Sequence, residues 1–194
     1  MISPEAPPLR VLVAMATATG EPAETALVES LLAELRQRGH DADAVVLPLP
    51  ATEALMPEHA CAWRLLDLSS SNARPVDVLI ATTFPAWCAR HPRKVAWIVR
   101  DGTPAADPPS GDAPADADAG RPTRARLVEL DARALAECRR VFVARASTAD
   151  RLRRSSGIAA DVLPPPPITG AGAANDTAGN RWPGWDSIIE QLLG

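Results

Sequence analysis

The stretch Ala81-Thr82-Thr83-Phe84-Pro85-Ala86-Trp87-Cys88-Ala89-Arg90-His91-Pro92-Arg93-Lys94-Val95-Ala96-Trp97-Ile98-Val99 links two short apolar runs, 76–81 (VDVLIA) and 95–99 (VAWIV). Runs of this length and composition read as strands buried on both faces of a parallel sheet. Between them, Phe84-Pro85 and His91-Pro92 are X-Pro steps that push the chain out of the helical region. A long, specific turn at the carboxyl end of a strand is where an open α/β sheet places its ligand.

Working outward, 10–15 (RVLVAM) reads as a central strand. Residues 21–38 follow as a helix with Leu27, Val28, Leu31, Leu32 and Leu35 on one face, Pro22 in its first turn and Gly39 as a left-handed cap. A second strand at 42–47 completes a βαβ unit. Residues 57–68 (PEHACAWRLLDL) read as a helix with Ala62, Leu65 and Leu66 inward. After the strand at 94–99, the composition shifts to Ala, Asp, Pro and Gly through residue 122, and 103–122 is expected to be a disordered insertion with too little to bury. A helix at 123–138 (Leu127, Leu130, Ala134 and Leu135 inward), a strand at 140–144, a helix at 147–156 and a strand at 160–163 complete the pattern. Strands alternating with helices predict an α/β fold: a Rossmann-like, doubly wound, mainly parallel sheet in a single domain over 1–168. A flexible linker at 169–180 then leads to a terminal amphipathic helix at 181–194 that docks on the domain, with Trp182 and Trp185 as anchors. Trp63 and Trp97 are expected in the core.

The formal net charge of −4 gives no electrostatic reason to expect nucleic acid as a partner. Cys61, Cys88 and Cys138 lie far apart with no CxxC spacing, which suggests free thiols in a reducing compartment. His40, His59 and His91 share no metal-ligand spacing with each other or with the cysteines, so no metal is expected. No run approaches the ~20 apolar residues of a membrane helix, and the first residues lack a signal-peptide charge pattern. The chain is therefore expected to be soluble and cytoplasmic, with at most peripheral contact at the inner membrane face.

Four blocks in order, A-T-T-F-P-A-W with R-H-P-R-K-V-A-W (81–97), C-A-W-R-L-L-D-L-S-S-S-N-A-R-P-V-D-V-L-I (61–80), L-D-A-R-A-L-A-E-C-R-R-V-F (130–142) and R-L-R-R-S-S-G-I-A-A-D-V-L-P-P-P-P (151–167), carry a resemblance. Together they resemble the amino-terminal domain of family-4 glycosyltransferases, the retaining GT-B enzymes of bacterial surface-polysaccharide synthesis. That resemblance implies an acceptor-binding domain that is half of a GT-B fold. The donor domain, which in the family holds the nucleotide sugar, has no counterpart after Ile168, while 181–193 is similar to the family's terminal helix. The chain thus resembles a truncated enzyme, with the donor domain excised and its flanks rejoined.

Departures from the family cluster at strand ends. A Gly-Gly loop after the first strand is replaced by Thr19-Gly20-Glu21-Pro22, a lysine in A-T-K-F-P by Thr83, a His-Gln-His/Tyr-Arg segment by Arg100-Asp101-Gly102-Thr103, and a serine by Arg145. The catalytic candidates are His91, Arg100 and Asp101, which would orient an acceptor hydroxyl. The bland alternatives are a loop histidine bonded to backbone and an exposed ion pair. The acceptor-binding candidates are Thr83, Phe84, Trp87, Arg90 and Arg93. Trp87 either stacks on a sugar or packs under its loop, and the basic trio Arg90, Arg93 and Lys94 either binds an anionic lipid-linked acceptor or is a solvated surface.

The resemblance implies no cofactor bound by this chain alone; a nucleotide sugar would come with a donor-domain partner chain. A homo-oligomer is the other partner reading, and a sugar or lipid-linked sugar is the acceptor. The alternative function is a non-catalytic glycan- or protein-binding or regulatory module derived from such an enzyme.

Overall fold

The computed structural model describes residues 7–17, 22–50, 52–100, 103–104, 121–166 and 183–194. Strand β1 (Arg10–Thr17) is the axis of the fold and is buried along nearly its whole length. It pairs in parallel with β2 (Asp41–Pro48) on one side and β5 (Val78–Ala81) on the other. The sheet continues in parallel through β6 (Lys94–Ile98), β7 (Arg140–Val143) and β8 (Asp161–Val162), giving the order β2-β1-β5-β6-β7-β8. A two-residue antiparallel hairpin, β3 (Ser70–Ser71) with β4 (Arg74–Pro75), stands apart from this sheet. The architecture is Rossmann-like α/β.

Because successive side chains on a strand point to opposite faces, the sheet builds two cores. Val11, Val13, Met15, Ile80, Val95, Trp97 and Phe142 face helices α1 (Pro22–Gln37) and α5 (Trp185–Leu193). Leu12, Ala14, Ala16, Leu79, Ala81, Ala96 and Ile98 face α2 (Met56–Leu65), α3 (Arg121–Ala136) and α4 (Ala146–Ser156). The alanines on the second face let the turn 82–89 lie close against the sheet, where Trp63 and Trp87 fill the remaining volume. All five predicted core residues of α1 are buried, and Trp63 and Trp97 are fully enclosed. Gly39 closes α1 at φ +83, a backbone conformation that side-chain-bearing residues adopt at a cost.

The second predicted helix differs in both phase and end. Ala60 and Trp63 are its buried residues, whereas Ala62 is exposed and Leu65 is 78% exposed. The large indole takes the inward position and rotates the predicted face outward. The helix stops at Leu65 because the next residues pair with the crossover: Arg90 N donates to Leu66 O (2.9 Å) and Leu68 N to Arg90 O (3.1 Å). Helix α3 starts at Arg121, inside the segment expected to be without structure, and Pro122 sits in its first turn, where its missing N–H costs nothing. At the other end of that segment Thr103 is buried; residues 105–120 lie outside the described residues, as do the linker 169–180 and Trp182.

Helix α5 buries Ile188, Ile189 and Leu192 in the α1-side core. Its ends are held electrostatically. Asp186 in the first turn pairs with Arg38 (2.6 Å), while the guanidiniums of Arg93 and Arg140 donate to the carbonyls of Leu193 and Gln191 (3.1 Å each). Acid at the amino end and base at the carboxyl end both complement the helix dipole.

Candidate functional site

The chain runs outward from β1 to β2, then returns past β1 to begin β5, so strand order reverses between β1 and β5. At such a switch point the loops leaving the two strands diverge and open a crevice at the carboxyl edge. A cleft of about 390 Å³ lies there, a volume within the range of small-molecule sites. Ala16 from β1, Thr82, Thr83 and Phe84 after β5, and Ile98 and Arg100 at the end of β6 form its base. Glu24 from the first turn of α1, Arg124 and Leu127 from α3, Leu49 just after β2 and Met56 at the start of α2 form its walls, with Thr103 and Pro104 at one side.

Thr83 extends the sheet past the end of β5. Its Oγ1 accepts from Ala16 N (2.7 Å) and donates to Ala16 O (2.8 Å), so both roles of the hydroxyl are used in holding β1. Phe84 is half-buried at the cleft and joined to Pro85 by a cis peptide bond. Trp87, on the 3₁₀ turn Ala86–Cys88, is 1% exposed. Its indole N–H donates to the buried carboxylate of Asp131 on α3 (2.7 Å), and its ring lies 6.0 Å from that of Phe84 at 58°. Trp87 is thus a packed wall under the loop, with no open face for a sugar to stack on.

Arg100 lies at the cleft and pairs with Glu24 at 3.1 Å. The predicted pairing with Asp101 falls outside the described residues. Glu24 was not singled out from the sequence; the acid noted there was Glu21, also outside the described residues. The signal available for Glu24 was an acid in the first turn of a helix that follows the first strand.

Arg90, His91 and Arg93 lie at the other end of the crossover, just before β6 begins, at the amino edge of the sheet. His91 is half-buried and bonded on both ring nitrogens to backbone, with Nδ1 accepting from Arg93 N (3.0 Å) and Nε2 lying 3.1 Å from Val76 O. Those bonds fit a neutral ring with its proton on Nε2, and burial holds its pKa below the usual histidine value. Arg90 is exposed, and Arg93 caps α5.

Lys94, grouped by sequence with this basic loop, is 1% exposed. Its Nζ donates to the carbonyls of Trp87 (2.6 Å) and Ala89 (3.1 Å) and stands 3.5 Å from Glu137, which Arg64 also grips. The ammonium therefore ties the turn that carries Trp87 to the start of β6. Cys88 and Cys138 lie in the same region, and burial pushes both thiols up to about 12, so neither is primed as a nucleophile.

No family model matches the chain, and no curated protein or solved structure matches it either. The likeness to family-4 glycosyltransferases rests on the four sequence blocks alone. Among the described residues no three His, Cys, Asp or Glu side chains converge as a metal site would require, and no helix is long and apolar enough to cross a membrane.

Proposed function

We infer that this chain is the acceptor-binding half of a family-4-like glycosyl transfer system of bacterial surface-glycan synthesis, working with a separate donor-binding chain. The cleft holds a saccharide, and the partner supplies the nucleotide sugar and the charge stabilisation of the transfer step.

The observation that carries the reading is Glu24. In a Rossmann-like domain the amino end of the helix after β1 is where backbone N–H groups and the helix dipole grip a diphosphate. Here a carboxylate stands in the first turn, beside the cleft and already paired with Arg100. It repels a second anion at that helix end. The size and mixed lining of the cleft suit a sugar without its nucleotide.

A second reading, a binding module that takes part in no transfer, is favoured by Thr83. Thr83 borders the cleft, yet both hydrogen-bonding roles of its hydroxyl are turned to Ala16.

Saturation-transfer NMR with methyl glycosides and with nucleotide sugars tests the first reading. Glycoside signals are expected to respond, with no response from the nucleotide ring. A nucleotide sugar binding to the isolated chain overturns the acceptor-half reading, and silence from every saccharide overturns both.

A further inference from the structure

The cleft is divided along the sheet, with an apolar side at the β2 end. We propose that its ligand is a saccharide carrying an aromatic aglycone, whose ring is seated against Leu49, Met56 and Phe84. This rests on the reading of the cleft as a saccharide site.

Leu49, Met56 and Phe84 all line the cleft and all are only half-buried, so carbon surface stays within reach of a ligand there. Apolar surface left open in a concave site is the usual seat of a ligand. Beneath these three, Ala16, Ile98 and Leu127, each at most 3% exposed, close the floor with carbon as well.

Polar atoms that could have interrupted this surface are used within the fold. Thr83 Oγ1 accepts from Ala16 N and donates to Ala16 O, and Trp87 Nε1 donates to Asp131. A ligand hydroxyl pressed against this side leaves water without gaining those groups as partners, which costs free energy. An apolar ring moved to the same place gains by leaving water.

The apolar side is also held in position. Leu49 N donates to Thr17 O (2.8 Å), prolonging the pairing of β2 with β1. Met56 opens α2, which Ala60 and Trp63 anchor in the core. Phe84 leans on Trp87, with ring centroids 6.0 Å apart. A flat ring suits this wall better than a flexible chain. Phe84 offers it an aromatic contact and Met56 a polarizable thioether, and a rigid group has fewer rotamers to immobilise on binding.

The charged lining residues come from elsewhere. Arg100, just after β6, is joined to Glu24 (3.1 Å), and Arg124 comes from α3. The ligand therefore has one orientation, aglycone toward β2 and α2, sugar hydroxyls toward β6 and α3.

Isothermal titration of the full chain tests this with glucose, galactose and mannose, each as its methyl, phenyl and n-hexyl pyranoside, and with phenol alone. For the sugar that binds, the phenyl glycoside is expected to bind about tenfold tighter than the methyl glycoside, a difference of about 1.4 kcal/mol. Its heat-capacity change should be the more negative of the two, and the gap should persist as salt is raised. Met56→Gln, close in size and polar, is expected to close most of the gap while methyl glycoside affinity stays as it was, a split that a purely structural Met56 does not produce. Circular dichroism checks that the variant is folded, and if it is not, the ligand series on the unaltered chain carries the test alone. Equal affinity for methyl and phenyl glycosides overturns the aglycone assignment while the saccharide reading stands. A gap undiminished in folded Met56→Gln overturns the placement of the ring, and tighter binding of the hexyl than of the phenyl glycoside overturns the choice of a ring. Phenol binding as tightly as the phenyl glycosides overturns the saccharide reading, and absence of binding by every probe overturns that reading and this inference together.

Discussion

The two ends of the β5–β6 crossover are close in sequence and opposite in task. At its carboxyl-edge end, Thr82, Thr83 and Phe84 border an open cleft into which Arg100 also reaches. At its amino-edge end, His91, Arg93 and Lys94 direct their polar atoms to backbone carbonyls and N–H groups of this chain. One end faces a cleft, and the other uses charge to hold the fold. Basic residues in a loop are therefore poor guides to a binding site until the edge of the sheet they occupy is known.

That contrast can be broken most forcefully at α5, whose last carbonyls are held from the amino edge. Ending the chain after Gly184 removes Ile188, Ile189 and Leu192 from the core. At roughly 1.5–3 kcal/mol for each buried aliphatic side chain the loss is about 5–9 kcal/mol, an upper estimate comparable with the whole stability of a domain. Such a chain is expected to lose cooperative unfolding in urea. A sharp transition at an unchanged midpoint would show that the amino edge is not a structural clamp.

Lys94→Met comes next. Without the ammonium, the carbonyls of Trp87 and Ala89 lose their buried donor, at a cost of about 2–4 kcal/mol. Because the same turn carries Trp87, saccharide affinity should weaken as well. Thermal unfolding together with the glycoside titration reads both effects.

Arg93→Ala should be smaller and cleaner. It removes one guanidinium from the carbonyl end of α5, a loss of about 1 kcal/mol, with no change in saccharide binding. A change in affinity without a change in stability would place Arg93 in the site after all.

The smallest effect is in the pH dependence. Burial holds His91 below its ordinary value of 6.5, so the unfolded chain takes up the proton more readily than the folded one. Stability should fall as pH drops through that value and level off once the folded form is also protonated. In His91→Gln, which cannot titrate, the dependence between about pH 7 and 5 should flatten. A slope that survives the substitution would assign it to other groups.

Much of the architecture was legible because it rests on local periodicity. Leu27, Val28, Leu31, Leu32 and Leu35 recur at helical spacing, and all five are buried. The runs around 10–15, 76–81 and 94–99 are apolar because both sheet faces are covered, and each forms a buried parallel strand. Helix α2 was misread in phase because alanine, cysteine and leucine at 61–66 supply an apolar stripe of their own, while the inward position goes to the bulkiest side chain, Trp63. Of the candidate site, Thr83, Phe84, Trp87 and Arg100 do meet at one cleft. Arg90, His91 and Arg93 do not, since the chain must cross the full height of the sheet before β6 can run parallel to β5.

The sequence by itself determined the alternation of strands and helices, the buried face of α1 and the amphipathic terminal helix. These follow from the spacing of apolar residues along a short window, which any local reading can measure. Tertiary structure alone decided that Glu24 would meet Arg100, that Lys94 would be buried under the turn of Trp87, and that Arg93 and Arg140 would clasp the end of α5. Each is a contact between charged or polar groups distant along the chain or aimed across a loop. Its partner is set by the path of the backbone through space, and no periodicity in the sequence records that path.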